Sequence, residues 1–240
     1  VAVSKELFKV VSGAVKVSRM TSGAFDPSWA AMHGLWDFRP DNKRIPSKEE
    51  LEKALPLINY KLIELDPDKM TVGLKEKGMA IGLGGIAKGY AVDRAMERLS
   101  KMGIRNAIIK AGGDVRVQGR REGGEPWRIS IQHPREEGVL ARLPLSNISI
   151  STSGDYERYF MKDSILYHHI IDPETGYPAR GCQSVTILAP DTMTSDAFAT
   201  AVFVLGPEKG LRLVERLNGV EAIIVDASGT THTSSGIDLE

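Results

Sequence analysis

The chain has 240 residues, 42% of them hydrophobic, with 31 basic and 31 acidic side chains and no formal net charge. That length accommodates one large domain or two small ones around a genuine core, and the balanced charge gives no basic footprint for nucleic acid. One cysteine, Cys182, excludes an internal disulfide and any multi-cysteine metal site.

The chain opens at Val1 rather than at a methionine, directly in a helical pattern. A processed or truncated start is therefore expected, with no signal segment in the sequence, and Leu239-Glu240 reads as a cloning remnant. Residues 2–18 predict an amphipathic helix with Val3, Leu7, Val10, Val11, Ala14 and Val15 inward. Residues 19–45 form a Gly-, Pro- and aromatic-rich loop, and a loop that long inside a compact domain is usually functional. Ser47-Lys48-Glu49-Glu50 has the form of a capping box opening a short helix. Strands are predicted over 61–65, 70–74 and 79–83, then a helix over 86–102 with Ile86, Tyr90, Ala91, Ala95 and Leu99 inward. A strand series follows at 106–110, 115–118, 127–132, 139–145, 148–151, 167–171 and 184–188. A helix over 193–205, a second near 208–217 and a strand over 220–225 close the chain. Strands in runs with helices inserted singly predict an α+β fold: one compact domain over 1–238, with a mixed, largely antiparallel sheet and flanking helices. The longest apolar run, 197–206, is too short to span a bilayer.

Asp196 and Thr200 are the most informative pair. Four residues apart on a helix, they share a face, which otherwise carries Ala197, Ala201 and Val204. Two hard oxygen donors on a buried helix face suit Mg²⁺ or Ca²⁺. The plainer reading is an early helical Asp and a Thr bonded back to a carbonyl. Gly82-Leu83-Gly84-Gly85-Ile86-Ala87-Lys88-Gly89 matches neither the P-loop nor the Rossmann spacing. Glycines leading into a helix N-terminus still let backbone approach a phosphate; a tight strand-to-helix turn is the alternative. Ala111-Gly112-Gly113-Asp114 is a second glycine pair, most simply a bulge or hairpin turn. Alternation puts His168 and His169 on opposite faces of a strand. They should therefore not both serve one site, and one that faces it would suit a general base, the side chain's ordinary pKa lying near neutrality; the plainer reading is a surface histidine plus one satisfied by hydrogen bonding. Residues 151–158 are polar and turn-like, either donors to a ligand or a solvated corner.

In this order, the stretches 23–27, 83–93, 111–114, 151–160, 169–176 and 193–206 resemble the ApbE family of FAD:protein FMN transferases. The resemblance spans about residues 20–226 and implies a Mg²⁺-dependent enzyme. Such an enzyme cleaves the pyrophosphate of FAD, attaches FMN through a phosphoester to a Thr or Ser of a target redox protein, and releases AMP. Carried over by position, Asp196 and Thr200 are side-chain metal ligands and Ala87 gives its carbonyl to the same ion. The loop Ala24-Phe25-Asp26, Gly84 and Tyr90 contact FAD, Gly113 and Asp114 are further ligand candidates, and His169 is the base toward the acceptor hydroxyl. The family also implies a place in the periplasm or on the outer face of the bacterial inner membrane. Membrane attachment would run only through an N-terminal lipoprotein anchor absent from this sequence.

Two departures stand out. Gly82 occupies a position where the resemblance implies Asp in many relatives, and the resemblance leads us to expect that the family's N-terminal portion, with an opening strand and some flavin contacts, lies outside this sequence. Two alternatives accompany the transferase reading. With water in place of the protein hydroxyl, the same site is an FAD pyrophosphatase giving FMN and AMP. A flavin-binding protein without catalysis would be marked by a lost ligand or base, but Asp196, Thr200 and His169 are all present.

Overall fold

The computed structural model describes residues 1–238, so the expected remnant Leu239-Glu240 lies outside the described residues. In chain order the elements are α1 (Lys5–Met20), α2 (Lys48–Ala54), β1 (Ile63–Asp66), β2 (Thr71–Leu74), α3 (Ala87–Lys101), β3 (Ala107–Ala111), β4 (Asp114–Gln118), β5 (Trp127–Gln132), β6 (Val139–Leu145), β7 (Ile148–Gly154), β8 (Tyr159–Lys162), β9 (Ile165–His168), β10 (Cys182–Ala189), α4 (Thr192–Val214), β11 (Glu221–Asp226) and β12 (Thr231–Thr233). Short 3-10 turns lie at Pro27–Met32, Leu55–Leu57 and Tyr60–Leu62. The fold is α+β, and among the described residues the paired strands all run antiparallel. The chain forms two compact units, one of Val1–Gly84 with Asp155–Ala179, the other of Gly85–Gly154 with the chain from Arg180 onward.

In the first unit, α1 starts at Ser4, whose side chain accepts a hydrogen bond from the Leu7 amide, one of the four donors a helix start leaves unpaired. Val11 and Val15 pack on Ile63, Val72 and Met79. Phe8 joins that cluster, whereas Leu7, expected inward, stays 40% exposed. The expected strand over 79–83 does not form. Met79 enters the core instead, and the Gly82 amide donates to the Pro27 carbonyl at 2.7 Å. The long loop is a built structure. Asp26 Oδ1 accepts from the Ser28 amide at 2.8 Å, and Oδ2 accepts from the Tyr60 amide at 2.8 Å. Trp36 donates to the Gly176 carbonyl at 2.9 Å and stacks on Phe38. The hairpin β8–β9 ends at His168, earlier than the expected strand over 167–171.

The second unit is built on a six-stranded sheet in the order β12-β11-β10-β7-β4-β3. Val115, Val117, Ile150, Leu188 and Ile223 share one cluster with Ile131, Leu143 and Leu145 of the β5–β6 hairpin. Helix α4 packs on β7 and β10, and α3 packs on α4. The predicted helices over 193–205 and near 208–217 form one element broken at Gly206, where φ is 77° and Pro207 follows. The buried face of α3 differs from the expected one. Gly89, Val92 and Met96 are buried, while Ala91 and Ala95 are exposed. The seam follows Gly89, because a Cβ there would stand 2.2 Å from the Thr192 carbonyl oxygen.

Candidate functional site

The site in the second unit is assembled at the start of α4. Asp191 caps the helix, its side chain accepting from the Thr194 amide at 2.8 Å. Asp93 of α3 caps it as well, accepting from the amides of Thr192 and Met193 at 2.8 and 2.9 Å. Both carboxylates sit where the helix dipole favours negative charge. These caps fix the first turn of α4 against α3, and Asp196 lies one turn further on. Its Oδ2 accepts from the Gly89 amide at 3.0 Å and its Oδ1 from Lys88 Nζ at 2.8 Å.

Lys88 Nζ also lies 3.2 Å from Asp114 Oδ2. That distance is an ion-pair contact rather than an aligned hydrogen bond, since Asp114 Oδ2 has no hydrogen-bond partner of good geometry. Asp114 owes its place to the glycine pair before it. Ala111 and Asp114 pair directly across the β3–β4 hairpin, so Gly112 and Gly113 are the two turn residues. Their φ values are 55° and 93°, and the favoured two-residue hairpin turn needs positive φ at both positions. The hairpin reading of the sequence holds, and the turn also delivers a buried carboxylate to Lys88.

The pair Asp114 and Asp196 is electrostatically costly. Burial, added to the neighbouring Asp196 charge, pushes the Asp114 carboxyl up to about 6 against the pull of Lys88 and a Ser151 hydrogen bond. Burial raises Asp196 as well, with Lys88 and the Gly89 amide opposing. A carboxyl raised in the folded state holds a proton that the unfolded chain releases. Its stabilising contribution is therefore complete below about pH 4 and is lost as pH rises through about 6. In Asp114→Asn that slope should largely vanish. The metal-free variant should exceed wild type at about pH 8 by on the order of 2 kcal/mol and match it near pH 4. Urea midpoints across that range check this, and parallel pH curves for the two proteins would reject it.

The other sequence-derived candidates divide between the units. In the second unit, Thr200 is one turn beyond Asp196, its hydroxyl 3.5 Å from Ser153 Oγ. Ala87 is the first residue of α3, two positions before the Gly89 amide that binds Asp196. Tyr90 is half-buried on the same helix, and Gly113 is exposed in the hairpin turn. In the first unit, Phe25 and Asp26 are buried and Ala24 is half-buried. The Asp26 carboxylate is committed to Ser28 and Tyr60, so it shapes its loop from within. Gly84 is exposed. His168 is the structural histidine of its pair, buried with Nε2 2.7 Å from the Ala179 carbonyl oxygen. His169 is half-buried, its amide donating to the Arg158 carbonyl at 3.1 Å. The glycine at position 82 has a local cause: a Cβ there would lie 2.7 Å from Trp29 Nε1. The indole occupies the volume an aspartate would need.

Sequence reasoning missed Lys88 and Asp93. A lysine beside the metal-candidate carbonyl and an acid six residues after Ala87 were visible, but their partners lie far along the chain. Among the described residues no group of three or more His, Cys, Asp or Glu gathers for a metal. A hard cation that keeps water and substrate oxygens in its shell needs no such group. One positive charge is already held between Asp114 and Asp196, so the surroundings accept a cation.

A sequence profile described as the ApbE family matches residues 1–224. The FAD:protein FMN transferase of Haemophilus influenzae is 33% identical over 98% of this chain and 71% of its own length. That of Treponema pallidum is 33% identical over 99% and 70%. Among solved structures, the ApbE protein of Thermotoga maritima superposes with a TM-score of 0.91 at 41% identity, covering 98% of this chain and 78% of the other. The flavin transferase ApbE from Vibrio cholerae gives 0.87 at 32% identity, covering 98% and 76%.

Proposed function

The chain belongs to the ApbE family, and we propose that it transfers the FMN half of FAD to a Thr or Ser hydroxyl of an acceptor redox protein, releasing AMP. The names of its relatives support flavin transfer. The observation that carries the reading is the buried Asp196 carboxylate at the meeting of α3 and α4, beside the first residues of α3.

Mg²⁺ is the proposed cofactor, which Asp196, Thr200 and the Ala87 carbonyl would hold. When bound, it would neutralise charge growing on the phosphate oxygens of FAD. The chain's own residues do the rest. Amides at the start of α3, after Gly84 and Gly85, favour a diphosphate there. Tyr90, the Ala24-Phe25-Asp26 loop, Gly113 and Asp114 are proposed to orient FAD. Positioning dominates because a phosphoanhydride is already activated. The acceptor oxygen attacks the FMN phosphorus, its proton passes to His169, and the bond to the AMP oxygen breaks with the electron pair leaving on AMP. The proposed setting is the periplasm or the outer face of the inner membrane.

Incubation with FAD and Mg²⁺, with and without an acceptor protein, tests this. Covalently bound FMN and released AMP should rise together and only with the acceptor present. AMP and free FMN formed at the same rate without it would make the protein a pyrophosphatase instead.

A further inference from the structure

We propose that the Lys88 ammonium is a tethered counter-cation, one that occupies the Asp114–Asp196 pair and gives up Asp196 when a divalent cation takes that carboxylate. This rests on the reading of Asp196 as a metal ligand. Two carboxylates whose side chains are 3% and 5% exposed share one ammonium, at 3.2 and 2.8 Å. Without it, two buried like charges would face each other unpaired.

The three groups are not equally fixed. Asp196 keeps a second bond, to the Gly89 amide, whichever partner its other oxygen has. Asp114 is the first residue of β4, in register opposite Ser151. The Lys88 side chain is 42% exposed. Its stem passes over Gly112, where an added Cβ would meet Lys88 Cδ at 3.4 Å. A lysine ends in a compact charge on a flexible four-carbon stem. It is the member that can leave, and a divalent ion on the same oxygen repels it at close range.

Charge arithmetic gives the exchange a consequence. Lys88, Asp114 and Asp196 sum to one net negative charge, which a divalent cation reverses to one net positive charge. The resting cluster repels a diphosphate, and the metal-loaded cluster attracts it. Metal binding therefore precedes or accompanies FAD binding, and Lys88 is a positioning residue that sets this order.

The test uses Mg²⁺ alone. Calorimetric titration of metal-free wild type and Lys88→Met at about pH 8 should show Mg²⁺ binding roughly tenfold tighter in the variant, within the usual range for coupled sites. The metal-free melting midpoint of Lys88→Met should fall, and Mg²⁺ should raise it by more than in wild type. If Lys88→Met does not fold, Lys88→Met/Asp114→Asn compared with Asp114→Asn should show the same tightening. Unchanged or weaker Mg²⁺ affinity, in a protein whose wild type binds Mg²⁺, overturns this inference alone. No Mg²⁺ binding by wild type overturns the metal reading and takes this one with it.

Discussion

Asp196→Asn is expected to lower FMN transfer by roughly 10²–10⁴-fold at limiting Mg²⁺, with the melting midpoint of the metal-free protein close to that of wild type. Both halves follow from what the two carboxylate oxygens do. Oδ2 accepts from the Gly89 amide at 3.0 Å, a role a neutral amide oxygen fills equally. Oδ1 faces Lys88 at 2.8 Å, and an amide nitrogen cannot replace it there. The lost ion pair is offset by the lost cost of a buried negative charge, the cost that raises this carboxyl in the folded protein. Asparagine thus keeps the junction of α3 with α4 and removes the charge. An Asp196 that served only as scaffold would lose transfer only as far as the change unfolds the protein. Transfer rates over a Mg²⁺ series, read beside thermal melts, separate the cases. A near wild-type rate at low Mg²⁺ removes Asp196 from the metal site, and a low rate with a collapsed fold assigns it to the scaffold.

Much of this architecture is written in local patterns. The strands Trp127–Gln132 and Val139–Leu145 fall where alternation puts them. The capping box at Ser47 is real: Glu50 donates its amide to Ser47 Oγ at 3.2 Å, and Glu50 Oε2 accepts from the Ser47 amide at 2.8 Å. Gly112-Gly113 is the hairpin that its spacing implies. Patterns that count hydrophobic side chains fail where the contact depends on a missing one. The inward face of α3 turns on Gly89, which contributes nothing to a hydrophobic tally yet is where α3 meets α4. β8 was hidden for another reason. Tyr159 and Met161 are exposed and only Phe160 between them is buried, yet all three are large and apolar, so no polar–apolar alternation in the sequence marks the strand.

The candidate site was legible in its parts and not in its connections. Asp196 and Thr200 share a helix face by spacing alone, and α4 supplies that helix. Lys88 reaches Asp196 across 108 positions of sequence, and no spacing rule covers that distance. The Asp93 cap on α4 spans 99 and 100 positions and was equally invisible. Alternation separated His168 from His169, but only the fold shows that His168 is the one held by a backbone carbonyl.

Gly89→Ala should destabilise the protein by about 2–4 kcal/mol, although alanine is the better helix former by about 1 kcal/mol. The added methyl would stand 2.2 Å from the Thr192 carbonyl oxygen and 2.9 Å from Asp196 Cβ. The first obstacle is backbone in the opening turn of α4, held by two carboxylate caps, and it cannot swing aside as a side-chain tip can. The helices must separate. That lengthens the Gly89–Asp196 hydrogen bond and carries Asp196 away from the start of α3. Gly89→Ala should therefore lose stability and transfer together, unlike Asp196→Asn, which loses transfer alone. Gly84→Ala is the control, since a methyl there meets nothing within 4 Å. Thermal melts should place Gly89→Ala about 5–10 °C below wild type, with Gly84→Ala near wild type. A Gly89→Ala protein as stable as wild type would show that the two helices do not need to approach so closely, and the geometry built on their contact would have to be abandoned.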